Sequence, residues 1–533
     1  MDADVWRRIL CSKAFNKSSQ LACDSIARMC RRLCTEYVDP TSISAILSCR
    51  LIPLDKNPGV RPIGIGEVLR RIIGKTVTTF LKIDIINSVG PLQLAAGQEG
   101  GCESAIHGME KMFEDDQTQG VLLVDASNAF NCLNRKTSLL NIPFICPEFA
   151  VFIINTYRLP SRLFLPGGTF ILSNEGTTQG DNCASGFYSL SILPIILQLS
   201  IIKCRQLWYA DDAAAVGVLL ALKEWWDMLL KLGPGLGYFP NAAKTWLVVK
   251  PQHEAEAIKI FKGTGVQITT EGQSYLGAAI GSTSFKNEYV STKVQQWVSE
   301  LEKLAEIAKM EPQLAYAAYT FGLSKRWMFV MRTMDNISEL LQPLEECIQT
   351  VFLPTLIQNH FNDAERRLFT LPAKFGGLSI FNPSEICQNE FNYSCSVTAP
   401  LVETIMEQKV YLSPEENYNL NRISSAAKNL VSSTKVLQHQ QKLKYVKIQL
   451  GAQKAKHIEL LCKKGASAWL TSLPLEEFGF VLNKQEFTDA ISLRYNLPFK
   501  NMSTHCACGA KNSLDHALIC KKRWFCCNAS QSD

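Results

Sequence analysis

The chain has 533 residues, 47% of them hydrophobic and 20% charged, with a formal net charge of +6. That length allows roughly two to four domains with sizeable cores, and the mildly basic balance permits a nucleic-acid partner without showing one. Most of the 19 cysteines are scattered singly, among them Cys49, Cys102, Cys146 and Cys347, which fits free thiols in a reducing compartment better than a disulfide framework.

The start, Met1-Asp2-Ala3-Asp4, is acidic and no apolar core follows, so no targeting signal is seen and a soluble intracellular protein is expected. Residues 1 to 50 read as helical, with Ile26, Met29, Leu33 and Tyr37 at helical spacing. The stretch from Leu51 to Ile65 changes to two β-like runs around the turn signal Asn57-Pro58-Gly59. A hairpin there carries Lys56 and Arg61 near one end, and the following helix bears Arg70, Arg71 and Lys75. Such a cluster suits phosphates, Arg as a planar fork and Lys as a point charge, or it is a solvated basic hairpin.

Val121-Leu122-Leu123-Val124-Asp125 is an unbroken apolar run ending in an acid, which predicts a buried strand delivering Asp125 to a site or to a helix cap. Phe130 follows five residues later. In Thr177-Thr178-Gln179-Gly180-Asp181, Gly180 permits close approach by a ligand, Asp181 is placed to cap the next helix, and Gln179 offers a donor and an acceptor. The run from Phe187 to Ile202 contains Ser189, Pro194 and Gln198 and is too short to span a bilayer, so a buried helix is expected.

Tyr209-Ala210-Asp211-Asp212 places two acids between apolar runs, the pattern of a β-hairpin with carboxylates at its turn. Like charges this close raise at least one pKa unless a cation lies between them. Asp-Asp alone favours an acidic turn in water, and the partner stretches reverse that preference. Lys244 then precedes a strand, Trp246 to Val249, and Tyr275-Leu276-Gly277-Ala278 is a short strand or turn.

Residues 288 to 335 read as long amphipathic helices carrying Val294, Trp297, Leu301, Leu304 and Ile307. Residues 428 to 464 hold nine lysines and one acid, Glu459, which describes a phosphate-binding helix or a soluble face. In the tail, Cys506, Cys508, His516 and Cys520 supply four ligands of the kind tetrahedral zinc takes, with His505, Cys526 and Cys527 as further candidates. Incidental thiols in a reduced protein are the other reading.

Asp125, Gln179-Gly180, Tyr209-Ala210-Asp211-Asp212, Lys244 and Leu276-Gly277 stand in the order and rough spacing of reverse transcriptase motifs, and Arg61-Pro62-Ile63 resembles the fingers motif before them. Downstream, Leu371 to Leu378, Ala468 to Pro474 and the Cys/His tail look like the post-polymerase region of non-LTR retrotransposons in which a Cys/His knuckle precedes a restriction-like endonuclease. Asn182 stands where the family usually has proline, and the chain ends thirteen residues past Cys520, so a truncated copy is expected.

The resemblance implies an α+β right-hand polymerase with an antiparallel palm sheet, a mainly helical C-terminal region and a small Cys/His knuckle. It implies an N-terminal helical extension (1–40), fingers and palm (41–285), a helical thumb (286–385), a helical basic linker (386–500) and a zinc knuckle with a truncated tail (501–533). Asp125 and Asp211 would hold two Mg²⁺ ions, with Asp212 a supporting charge and Lys244 a proton donor to pyrophosphate. Lys56, Arg61, Phe130, Gln179 and Gly180 would bind the nucleotide, and Leu276-Gly277 the primer end. RNA template, DNA primer and deoxynucleoside triphosphates are the implied partners, with action in the nucleus. The alternatives are an inactive remnant that only binds RNA, and a nucleotide cyclase, which needs no template contacts.

Overall fold

The computed structural model describes residues 3–11, 16–56, 59–499, 504–506, 508–511, 516 and 519–520. The chain forms two compact units, neither of them a continuous segment: 1–290 with 330–336 and 388–432, and 291–329 with 337–387 and 433–533.

Among its described residues the first unit holds eleven strands: β1 (Cys49–Asp55), β2 (Val60–Gly66), β3 (Gly120–Val124), β4 (Ser161–Phe164), β5 (Phe170–Ser173), β6 (Arg205–Tyr209), β7 (Asp212–Gly217), β8 (Trp246–Val249), β9 (Gln267–Thr269), β10 (Gly272–Tyr275) and β11 (Ala278–Gly281). Its central sheet runs β6-β7-β3-β8-β9. The sheet is antiparallel except at its edge, where β9 lies parallel to β8, so the expectation of an antiparallel sheet is corrected to a mixed one. The second sheet, β2-β1-β4-β5, is also mixed, because β1 and β4 run parallel.

β3 is buried along its whole length, as its apolar run predicts. Leu122 and Val124 enter the main hydrophobic core, while Val121 and Leu123 are buried outside it, so both faces of the strand are covered. The helices Ala184–Leu199 and Leu219–Leu236 fill that core with Leu190, Ile196, Trp225 and Trp226. Truncating one such tryptophan costs on the order of 3–5 kcal/mol. Gln206 keeps its place in this apolar setting because its carbonyl accepts from the indoles of Trp208 (3.1 Å) and Trp225 (3.2 Å) while its amide donates to Ile196 O (2.8 Å).

Several expectations need correction in detail. The N-terminal helical region ends before Cys49, where β1 begins, and Tyr37 lies past its helix with 64% of its surface exposed. Leu33 is buried as expected, and Ile26 and Met29 pack against the core. Arg70, on the helix Val68–Phe80, is no phosphate grip: it is buried and paired with Asp181. Asn57 and Pro58 of the expected turn lie outside the described residues.

In the second unit, Trp327 packs between Trp297 and Tyr319, and the Arg366 guanidinium forms a buried two-pronged pair with Glu345 (2.9 and 2.7 Å). Val294, Trp297, Leu301 and Leu304 are buried, but Ile307 is exposed. The expected run of long amphipathic helices is broken after Ala308 and by a π-helical turn at Ala318–Leu323. At Gly377 a Cβ would meet Leu371 O at 1.9 Å, so the turn through Leu371 to Leu378 requires glycine. Arg494 donates to the carbonyls of Ala373 and Gly377 and closes that turn.

The lysine-rich stretch lies on the helix Pro414–Leu461, except Lys463 and Lys464 just past its end, and the helix is interrupted at Gly451 (φ +80°). It is less open to phosphate than its composition predicts. Within the first unit Lys428 pairs with Glu99, and within the second Lys442 pairs with Glu385, Lys447 with Glu459 and Lys454 with Glu365. No helix among the described residues is long and apolar enough to cross a membrane.

Candidate active site

β6 and β7 form the hairpin expected from the acid pair, with Tyr209 opposite Asp212 and Ala210-Asp211 as the connection. Two-residue hairpin turns favour positive φ, and Ala210 adopts φ +54°. The buried Tyr238 hydroxyl donates to Asp211 O at 2.9 Å. Asp125 follows the end of β3, the strand paired with β7, so the pairing of these central strands brings it beside the acid turn.

The rest of the site is built around this centre. Asn241 N–H donates to Asp125 O (2.8 Å) and Ser127 N–H to Phe239 O (2.9 Å), which lays the segment before Lys244 alongside the segment after Asp125. Phe130, on the short helix Ala129–Cys132, stacks on Tyr188 with centroids 4.3 Å apart. Thr177 N–H donates to Phe130 O (2.6 Å), tying the Gln179-Gly180 loop to the same helix.

A cleft of about 1650 Å³, counting the space open to solvent, is lined by Lys56, Arg61, Asp125, Phe130, Gln179, Gly180, Asp211, Asp212 and Lys244. Five separate stretches of sequence thus meet in one cavity. Leu276 and Gly277 do not line it: they form the turn of the β10–β11 hairpin, both with positive φ (+48° and +86°). Cys102 Sγ lies 3.8 Å from Leu276 O.

Two details differ from expectation. Gly180 (φ +103°) is approached by the protein itself: Gly64 N–H donates to Gln179 O at 2.8 Å, and a Cβ on Gly180 would meet Gly64 O at 2.8 Å. Its lack of a side chain lets β2 seat against the loop. Asp181 does not cap the helix Ala184–Leu199. Its carboxylate accepts from Arg70, the Tyr157 hydroxyl (3.0 Å) and Cys183 N–H (3.2 Å).

Gln93 was not singled out by any sequence signal. It is 1% exposed, and its amide bonds to both backbone groups of Ala210 (2.9 and 3.0 Å). A lone glutamine among apolar residues looks like any other, because its partner lies 117 positions away.

The electrostatics follow from the crowding of acids. Loss of solvent raises the Asp211 carboxyl, and Asp125 adds to the rise, against lowering by its own backbone N–H and, to a smaller degree, by Arg61 and Lys56. Asp212 is pushed up to about 7, first by its recessed position and then by Asp211 and Asp125, although its side chain still reaches water. Among the described residues none of the three carboxylates is in an ion pair. An oxygen-only donor set with unneutralised charge fits a hard divalent cation.

In the tail, Cys506 N–H donates to Ala510 O (2.9 Å) and Gly509 N–H to Cys506 O (2.8 Å), forming a tight turn. The ligand atoms of Cys506, Cys508, His516 and Cys520 lie within 4.8 Å of one another and are able to hold a metal. The three carboxylates of the cleft do not converge to that degree. The Cys506 thiol is pulled down to about 6, first by the Cys508 backbone N–H and then by the side chains of His516 and Cys520. Cys526 and Cys527 lie outside the described residues.

No protein-family model matches the chain, and no curated protein matches it. Solved telomerase structures resemble it. The telomerase of Candida albicans in complex with the TWJ fragment of telomeric RNA is 12% identical, with a TM-score of 0.39 and coverage of 70% of this chain and 66% of that one. The corresponding Candida tropicalis complex is 12% identical, with a TM-score of 0.38 and coverage of 76% and 64%. For apo telomerase of Candida tropicalis truncated from its C-terminal domain, the identity is 12%, the TM-score 0.34 and the coverage 44% and 53%. The chain thus spans between about half and two thirds of the length of these relatives.

Proposed function

We propose that the chain is an RNA-directed DNA polymerase, with the cleft around Asp125, Asp211 and Asp212 as its nucleotidyl-transfer site. The observation that carries this reading is the meeting of three carboxylates with Lys56, Arg61 and Lys244 in one cleft, from stretches distant in sequence. A site that joins nucleotides needs oxygen ligands for metal on one side and cations for a triphosphate on the other.

Asp125 and Asp211 are the residues to hold Mg²⁺, and Asp212 adds negative charge beside them. Bound there, two Mg²⁺ ions supply Lewis-acid stabilisation of the attacking and departing oxygens. Lys56 and Arg61, exposed at the turn end of the β1–β2 hairpin, offset the charge of the triphosphate. The primer 3′-hydroxyl gives its proton to solvent water as its oxygen bonds to the α-phosphorus and the bond to the bridging oxygen breaks, and the Nζ of Lys244 protonates the departing pyrophosphate. Phe130 packs beneath the sugar, Gln179 meets the nucleotide and template, and Leu276-Gly277 sit with the primer end, outside the cleft lining.

The finer assignment, a non-LTR retrotransposon enzyme acting in the nucleus, is supported by the sequence resemblance of the motifs and of the segments Leu371 to Leu378 and Ala468 to Pro474. Zinc at Cys506, Cys508, His516 and Cys520 is supported by the three sulfurs and one imidazole gathered there. The test of the activity is incorporation of dTTP on a poly(rA)/oligo(dT) duplex with Mg²⁺. Incorporation that requires both strands supports the reading, and its absence from a folded, metal-loaded chain removes it.

A further inference from the structure

We infer that Gln93 is a positioning residue that sets the acid turn, an inference that rests on the metal-dependent role proposed for Asp211. The segment around Gln93 runs parallel beside β6: Trp208 N–H donates to Leu92 O (2.8 Å) and Leu94 N–H to Trp208 O (2.9 Å). That pairing stops one residue short of the turn, and the Gln93 side chain continues it. Its Nε2 donates to Ala210 O (3.0 Å), and its Oε1 accepts from Ala210 N–H (2.9 Å) and from Ala95 N–H (3.2 Å).

The side-chain amide thus stands in for a strand residue and occupies both backbone groups of Ala210. Ala210 needs that hold. It carries a Cβ and sits at φ +54°, a region that residues other than glycine enter at a cost. The next residue is Asp211, whose own carbonyl is held by Tyr238 (2.9 Å). With Gln93 before it and Tyr238 upon it, the backbone bearing the Asp211 carboxylate has one orientation. Gln93 is 1% exposed and does not line the cleft, so it acts through Ala210 and not on the substrate.

The test uses the full chain with Gln93→Met, which keeps the side-chain length and removes both polar atoms. Mn²⁺ binding is measured by titration with electron paramagnetic resonance, and primer extension is measured on the same samples. Circular dichroism and the unfolding temperature establish that the variant is folded. The expected result is Mn²⁺ affinity weakened by about ten-fold or more. Alongside it, kcat falls about ten-fold or more while KM for dTTP stays within about two-fold. Adding Ala210→Gly, which enters positive φ freely, restores part of the Mn²⁺ affinity.

If Gln93→Met does not fold, Gln93→Glu takes its place: it keeps the shape and the acceptor but loses the donor to Ala210 O, and the same split of kcat from KM is expected. Mn²⁺ affinity and kcat unchanged in a folded Gln93→Met chain overturn the inference, as does a wild-type chain that binds no Mn²⁺. Weakened Mn²⁺ binding in a chain that never extends a primer supports the Gln93 inference and removes the polymerase reading, so the two failures are separable.

Discussion

Arg70 and Asp181 form an ion pair at the wall of the cleft, whose lining includes Asp181, with side chains only 7% and 5% exposed. The same guanidinium donates to Leu47 O, and the same carboxylate accepts from Tyr157 (3.0 Å). The pair joins the helix after the β1–β2 hairpin to the loop that carries Gln179 and Gly180. Removing one partner leaves the other charge buried alone, so Asp181→Asn is expected to cost about 3–5 kcal/mol. The urea midpoint of the purified chain measures this, and the double substitution Arg70→Met with Asp181→Leu should recover much of the loss.

Asp212 provides a pH signature. Its folded-state pKa of about 7 lies above the ordinary carboxyl value, so the folded chain holds its proton more tightly than the unfolded chain does. The stabilisation this gives is full below about pH 4, and it is lost as pH rises through the folded value of about 7. Because the side chain reaches water, the effect is discounted to about 1 kcal/mol. Metal-free Asp212→Asn should therefore be more stable than wild type at pH 8 and similar to it near pH 4. Thermal denaturation at the two pH values checks the sign, and saturating Mg²⁺ should shrink the difference.

Sugar choice is expected to depend on Phe130. Its ring is held by stacking on Tyr188 (4.3 Å) and lines the cleft. A ring packed against the sugar leaves a 2′-hydroxyl unpaired, at about 1–3 kcal/mol. Phe130→Ala should raise the kcat/KM for UTP relative to dTTP on poly(rA) by about ten-fold. A folded variant with an unchanged ratio returns Phe130 to a packing role.

The tail is expected to bind about one zinc per chain. Metal analysis of protein purified under reducing, chelator-free conditions reads this directly. Cys508→Ser, which removes the sulfur 3.1 Å from His516 Nε2, should lower the zinc content sharply.

What was legible in the sequence was local. The apolar run into Asp125 announces a covered strand, the Leu51–Ile65 stretch a hairpin, and the acid pair a turn, because each signal lies within a few residues of its consequence. What was not legible depends on partners far along the chain. Arg61 and Arg70 look alike in sequence, yet Arg61 lines the cleft and Arg70 is spent on Asp181, 111 positions away. The lysine-rich stretch reads as free positive charge because its partners Glu99, Glu365 and Glu385 come from other elements. Gly180 signals close approach, but only the fold shows that Gly64 is what approaches.

The central claim is that Asp211 takes part in metal-dependent nucleotidyl transfer. Its most direct test compares primer extension by wild type and Asp211→Asn on poly(rA)/oligo(dT) with Mg²⁺, with both proteins shown to be folded by circular dichroism. The account predicts robust extension by wild type and less than about a tenth of that rate for the variant, a loss above roughly 1.4 kcal/mol of barrier. A folded Asp211→Asn chain that extends at more than about a tenth of the wild-type rate would contradict it.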